Sequence, residues 1–316
     1  MPLPLQRLLL AMVVLAGAGV TVWASRHPFA VRDGYFHAKV RLGGVKPVRV
    51  NGLGGYVRDT CGKDNDCSCV ALVHGLGDTA LTWRNLLRDN KSGALPPGYR
   101  LFAFNMPGTR NSAPPSTAEG FSLQAQANTL AETLKLSCDS QARWTLVGNS
   151  LGGWISARLA LDHPDLIERL VLVDSAGLHD PSGTIESAGR ALAYPTLEGM
   201  KDFAARAHHR HRKAPKRVWK ALVRRIERSN NEAILKTVTP KDYLDKEISQ
   251  LKIPTDIIWG QSDRVIPLDM GRRFAELIDG STFRSIQACG HVPQAECPTV
   301  VRWVVFGRDS VKGASL

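Results

Sequence analysis

The sequence has no internal repeat and no low-complexity tract, which excludes solenoids and propellers. It is short of acids. Asp and Glu number 29 against 41 Lys and Arg, leaving a formal charge of +12. That positive field favours anionic partners such as lipid head groups, nucleic acid or acidic polymers, and says nothing about fold. Cys61, Cys67 and Cys69 resemble part of a zinc ligand set, but no spaced second pair or histidine completes it. No metal is therefore expected. Charged residues at 22% and hydrophobic residues at 43% carry no signature of disorder. A chain of 316 residues fits one large α/β domain, with or without an insert, better than two independent domains.

The N-terminus has the signature of export. Arg7 precedes an uncharged apolar run from Leu8 to Ala24, and Ser25-Arg26-His27 follows. At about 1.5 Å per residue the run spans roughly 25 Å, a little short of a hydrocarbon core of about 30 Å. Residues 1–25 are thus read as a signal peptide or a membrane anchor, and the protein as exported, periplasmic or extracellular if cleaved. Six cysteines fit an oxidising compartment: Cys61, Cys67, Cys69, Cys138, Cys289 and Cys297. They allow fifteen pairings. A tight loop favours Cys61 with Cys67 or Cys69, and Cys289 with Cys297 is a second expectation.

Along the chain, Tyr35 to Val40 and Val45 to Val50 read as leading antiparallel strands around Gly43-Gly44. Short apolar runs follow at Cys69–Val73, Leu101–Phe104, Trp144–Val147, Leu170–Val173 and Ile257–Trp259, separated by stretches of helical spacing. Runs of this length suit strands buried on both faces of a parallel sheet. The expected fold is α/β, a mostly parallel doubly wound sheet. Between Val173 and Ile257 no strand-like run occurs, and proline-punctuated helix formers indicate a helical cap. The expected organisation is core over 30–176, cap over 177–250 and core again over 251–316.

One motif carries the chemistry. Gly148-Asn149-Ser150-Leu151-Gly152 lies directly between a buried strand and a helix. A sharp strand-to-helix turn holds a serine hydroxyl exposed beside a base, and glycines two before and two after leave room for it. The helix start offers free N–H groups to a developing oxyanion. Upstream, His74-Gly75-Leu76-Gly77 ends the first buried strand, so that Leu76 and Leu151 are the expected oxyanion donors, with His74 structural. Downstream, Asp263 follows one strand and His291 another, giving the order serine, acid, histidine. Ser150 is the expected nucleophile, His291 its base and Asp263 the acid. Asp174, also at a strand end, is the competing acid.

These motifs, with Gly153, Gly260-Gln261-Ser262-Asp263 and Gly290-His291, resemble the α/β-hydrolase superfamily over roughly residues 45 to 310. Gly-Asn-Ser followed by Gly-Gly, with Ser175-Ala176-Gly177-Leu178, is similar to bacterial lipases and monoacylglycerol-lipase-like proteins. The resemblance implies the fold, the Ser-His-Asp triad and cofactor-free hydrolysis. Hydrolases of carbon–carbon bonds in ring-fission products are also similar, but usually carry extra glycines where this chain has Leu76 and Asp78. Asn105 replaces a frequent Asp of the relatives, a change expected to affect loop packing. Serine at 150 excludes chemistry that needs a carboxylate nucleophile.

Eleven Lys and Arg face two acids between Lys201 and Arg228. This basic stretch of the cap is read as a candidate contact with an anionic membrane surface. Nucleic acid is not expected as a partner, because aromatic interleaving is limited to Trp219. The functional expectation is a serine esterase or lipase acting on a small-molecule or lipid ester. Leu192, Tyr194, Phe203, Trp219 and Tyr243 would shape its acyl pocket. Carbon–carbon hydrolysis or acyl transfer on the same triad, or a non-catalytic binding role, are the alternatives.

Overall fold

The computed structural model describes residues 27–62, 67–89, 93–139, 142–210 and 213–307. The apolar run Leu8–Ala24 lies outside them. Among the described residues no helix is long and apolar enough to cross a membrane.

The first element corrects the sequence reading. Tyr35 to Val40 is not a strand but part of a helix, α1 (Pro28–Leu42), begun by a proline in its first turn and ended at Gly43. Phe29, Asp33, Phe36 and Val40 share one face at helical spacing, with Asp33 and Val40 buried. The charged Asp33 on that inward face breaks the apolar periodicity by which a helix is read.

The leading antiparallel pair is instead β1 (Lys46–Val50) and β2 (Leu53–Asp59), joined at Asn51-Gly52. The sheet continues with β3 (Ser68–Val73), β4 (Tyr99–Phe104), β5 (Trp144–Asn149), β6 (Ile167–Val173), β7 (Thr255–Gly260) and β8 (Thr282–Ile286). Its order is β1-β2-β4-β3-β5-β6-β7-β8; β2 is antiparallel to both neighbours and the pairs from β4 to β8 are parallel. This is an α/β-hydrolase fold. Its central strands each carry a continuous buried apolar run because helices cover both faces. Leu130, Trp144, Ile155 and Trp259 pack on one side; Leu72, Trp83, Val171 and Val301 pack on the other. The reversal of strand order at β3 puts a crevice at the carboxyl edge of the sheet, where α/β folds place ligands.

Helices α2 (Leu123–Lys135) and α3 (Leu151–Asp162) cross over the sheet. Between β6 and β7 the described chain forms helices and no strand: α4 (Thr184–Ala193), α5 (Leu197–Ala207), α6 (Lys216–Glu227) and α7 (Asn231–Thr237). They lie over the carboxyl edge. Helix α8 (Leu268–Leu277) precedes β8, and α9 (Pro293–Glu296) and α10 (Pro298–Phe306) are the last helices among the described residues.

All six cysteines are paired, as Cys61–Cys67, Cys69–Cys138 and Cys289–Cys297. Two pairs match the sequence expectation; the link from β3 to the loop after α2 joins residues too distant in sequence to be read from spacing. Three disulfides suggest an oxidising compartment.

Candidate functional site

Strand β5 runs out at Asn149 and α3 starts at Leu151, so the whole reversal falls on Ser150. Its backbone sits at φ 55°, ψ −123°, a region costly for a residue with a side chain and found where the surroundings over-determine it. Here the Ser150 N–H donates to the Val173 carbonyl (3.1 Å), and its own carbonyl accepts from Gly153, Trp154 and Ala176 (2.9, 3.2 and 3.1 Å). The flanking glycines are required by space. A Cβ on Gly148 would lie 2.3 Å from the Gly152 carbonyl oxygen, and one on Gly152 would lie 2.4 Å from that of Val73.

Two loops at the same sheet edge bring in the other candidates. After β7, the Oδ1 of Asp263 accepts from the N–H groups of Val265 (2.7 Å) and Ile266 (3.0 Å). Its Oδ2 lies 2.7 Å from Nδ1 of His291, and both side chains are buried. A carboxylate only accepts, so Nδ1 is the donor of this bond and Nε2 is the ring nitrogen left to act as a base. Backbone contacts hold His291 at both ends: its N–H donates to the Ala207 carbonyl at the end of α5 (2.8 Å), and its carbonyl accepts from Asn149 Nδ2 (3.0 Å). Ser150 and His291 line one cavity. The competing acid, Asp174, is completely buried behind Asp263, its Oδ1 accepting from the Gly260 N–H at 3.0 Å.

The turn after β3 lines the cavity opposite Ser150 through Gly75, Leu76 and Gly77. Leu151 begins a helix, so its N–H is among those with no acceptor inside it. His74 has the structural place expected of it. Its Nδ1 lies 2.8 Å from the Gly75 carbonyl and its Nε2 accepts from the Met106 N–H at 3.1 Å. Burial pushes its pKa down, so it is a neutral imidazole with both nitrogens occupied. Asn105 packs a loop, accepting from the Ala80 N–H (2.8 Å) and donating to Asn111 (2.7 Å).

The cavity measures about 1140 Å³ and reaches from Ser150 under the cap. Leu192, Tyr194, Phe203, Trp219 and Tyr243 all line it, together with Phe29 and Phe36 of α1, which the sequence did not assign to it. A three-arginine hub on Asp33 seats that helix: Arg32 donates to it at 3.0 Å, Arg225 of α6 at 2.7 Å, and Arg110 from the loop after β4. Burial pushes the Asp33 carboxyl up, but Arg225, Arg32 and Arg110 outweigh it and hold the group below its usual range.

The alpha/beta hydrolase fold family model matches residues 69–230 and 235–298. The chain belongs to the α/β-hydrolase fold family. Among curated proteins this hydrolase is similar to the 2-hydroxy-6-oxononadienedioate/2-hydroxy-6-oxononatrienedioate hydrolase of Paraburkholderia phymatum. The two are 28% identical over 242 residues, 72% of this chain and 82% of the relative. Among solved structures it is similar to a membrane phospholipase A described as a novel bacterial virulence factor, with TM-score 0.71 and 24% identity over 95% of this chain and 96% of that one. It is also similar to CumD, a meta-cleavage product hydrolase from Pseudomonas fluorescens IP01, with TM-score 0.64 and 21% identity over 82% and 95%. Helix α1 precedes the segment matched by the family model, so one wall of the hydrolase's cavity is built from outside that segment.

Two residues that sequence reasoning missed, Gln294 and Glu296, organise this site. Gln294 donates from Nε2 to Asn149 Oδ1 at 3.0 Å, while Asn149 Nδ2 also reaches the Val173 carbonyl at 3.0 Å. Asn149 therefore straps the serine turn to the histidine loop. Glu296 accepts from the Gly290 N–H at 2.7 Å and meets His208 Nδ1 at 3.2 Å, tying that loop to the cap. The Cys289–Cys297 bridge encloses both residues and His291. Only the bridge left a sequence signal; a lone Gln and Glu in a short helix leave none. The sulfurs of Cys61, Cys67 and Cys69 are engaged in disulfides and so are not free thiolate ligands for a metal.

Proposed function

We propose that this hydrolase cleaves carboxylic esters with a long apolar acyl chain, through an acyl-enzyme on Ser150. His291 Nε2 takes the hydroxyl proton as Oγ attacks the ester carbonyl, and Asp263 stabilises the imidazolium. The N–H groups of Leu76 and Leu151 receive the oxyanion. The imidazolium returns the proton to the departing alkoxide. A water, deprotonated by the same nitrogen, then releases the acid and regenerates the serine. No cofactor enters these steps.

The observation that carries the reading is the character of the cavity. Most of its buried side chains, among them Leu192, Met200, Trp219 and Ile226, are apolar, and its buried Asp33, Asn149 and His291 are already hydrogen-bonded within the protein. Of its five Lys and Arg, Arg32, Arg190 and Lys236 are exposed and already paired, with Asp33, Glu186 and Glu232. An alkyl chain gains about 0.8 kcal/mol for each methylene buried there. A carboxylate carried equally deep would lose its hydration without a partner.

Carbon–carbon hydrolysis is the second reading, favoured by the names of the similar curated proteins and of CumD. A dienedioate brings two carboxylates, and Arg84 is the half-buried cation of the cavity wall available to one of them. Turnover of p-nitrophenyl esters of increasing chain length, beside a ring-fission dienoate, separates the two. Rates rising with acyl length and no dienoate cleavage are expected; dienoate cleavage with negligible ester turnover overturns the proposal. Added alcohol tests acyl transfer, through the appearance of a new ester.

We further propose that the protein is exported and works at an anionic membrane surface. The three disulfides and the apolar run Leu8–Ala24 support export. Docking is supported by α6 and the residue that ends it, where Lys216, Lys220, Arg224 and Arg228 are exposed, four residues apart, with no ion pair among the described residues. Arg225 is not part of it, being held by Asp33. Near such a surface each cation contributes about 1 kcal/mol. The double variant Lys220→Glu/Arg224→Glu should lose any preference for anionic over neutral vesicles while hydrolysing a small soluble ester normally. An unchanged preference removes the membrane reading.

A further inference from the structure

Behind His291 two buried carboxyls meet. Oxygens of Asp174 and Asp263 and a nitrogen of His291 all lie within 4.8 Å of one another. Asp174 caps β6 at φ 44° with its side chain fully buried, a conformation that Asp and Asn tolerate best among residues with a side chain. The two carboxyls receive unequal numbers of donors. Asp263 accepts from Val265, Ile266 and His291, which together need lone pairs on both of its oxygens. Asp174 accepts from Gly260 on Oδ1 alone, and its buried Oδ2 receives no hydrogen bond. A buried polar atom in that state calls for an explanation, and two negative charges so close in a dry site strongly disfavour each other.

We propose that Asp174 is a positioning residue that carries one proton on Oδ2 and directs it at Asp263, so that His291 faces a carboxyl pair bearing a single negative charge. The proposal rests on the Ser150–His291–Asp263 reading. Burial first, then the charge of Asp263 and a hydrogen bond with it, push the Asp174 carboxyl well above its usual range; Glu296 adds to this and the Gly260 N–H opposes it. Asp263, His291 and Glu296 are the titratable groups that face it. The proton withdraws charge from Asp263 and so moderates the basicity of His291. Asparagine reproduces the arrangement, its oxygen accepting from Gly260 and its amide donating to Asp263. Alanine removes the donor.

The pH dependence of Ser150 labelling by a fluorophosphonate reads the basicity of His291 without requiring the natural substrate. The Asp174→Asn enzyme is expected to keep the wild-type midpoint. Asp174→Ala is expected to raise it by about one pH unit as Asp263 regains its full charge. A lowered midpoint in Asp174→Asn means that the native group is ionised, and an unmoved midpoint in Asp174→Ala means that it only packs; either overturns the proposal. Should the alanine variant not fold, the infrared difference spectrum of wild type minus Asp174→Asn at neutral pH decides. It must contain the carbonyl stretch of a protonated, buried carboxylic acid, and its absence overturns the proposal. Failure of the wild type to label at any pH sinks the triad itself, while the infrared band still reports on the pair.

Discussion

Replacing Asp33 by Asn tests whether α1 is a built wall of the cavity. The side chain is only 11% exposed and receives Arg32, Arg110 and Arg225. Arg32 is its chain neighbour and contributes little to tertiary structure. The other two guanidiniums, 29% and 24% exposed, join α1 to the core and to α6. A hydrogen bond to a charged group contributes about 1.5–3 kcal/mol. Partial exposure reduces this, and the amide oxygen keeps one weaker bond. A net loss of about 2 kcal/mol is expected. It should appear as a lower urea midpoint with an unchanged slope. The pH dependence has a fixed sign. The folded carboxyl titrates below the ordinary value of 3.8; its contribution is complete above that value and is lost as pH falls through the folded one. The gap between wild type and variant should therefore be constant near neutrality and close below about pH 4. Long-chain esters should also lose affinity, because Phe29 and Phe36 are held less firmly. Equal midpoints at neutral pH, or a gap that persists undiminished in acid, refute the reasoning.

Asn149→Ala removes two donors from buried carbonyls and an acceptor from Gln294, at about 1–3 kcal/mol for each group left unpaired; kcat should fall far more than KM, measured on a soluble ester. Gly152→Ala drives a Cβ into the Val73 carbonyl and should abolish soluble folded protein, scored by near-ultraviolet circular dichroism. Preventing the Cys69–Cys138 bridge with Cys138→Ala opens a loop with sequence separation 69. Chain entropy then predicts a loss of about 4 kcal/mol, read by thermal unfolding against the wild type under oxidising conditions.

The sheet was legible because each central strand is a short apolar run bounded by turn residues, and the serine turn because its glycines are dictated by contacts with backbone. Of the residues read as serine, acid and histidine, Asp263 and His291 are hydrogen-bonded and Ser150 lines the same cavity as His291. Helix α1 was not legible, since its inward face carries Asp33 and the three arginines that neutralise it lie next to it in sequence, in the loop after β4 and in α6. Nor were the straps from Asn149 to Gln294 and from Glu296 to Gly290. Polar residues used in this way follow no period, and their partners are set by the meeting of loops. Asp263 and Asp174 both end strands in the sequence and compete there for one role, whereas in the fold both carboxyls lie close to His291.

Mass-spectrometric mapping of fluorophosphonate labelling tests most directly whether Ser150 is a nucleophile activated by His291. The account predicts a single phosphonylated peptide containing Ser150, no label in Ser150→Ala, and labelling slowed by about a thousandfold or more in His291→Ala. Intact wild-type protein that takes up no label, or labels equally fast without the imidazole, would contradict it.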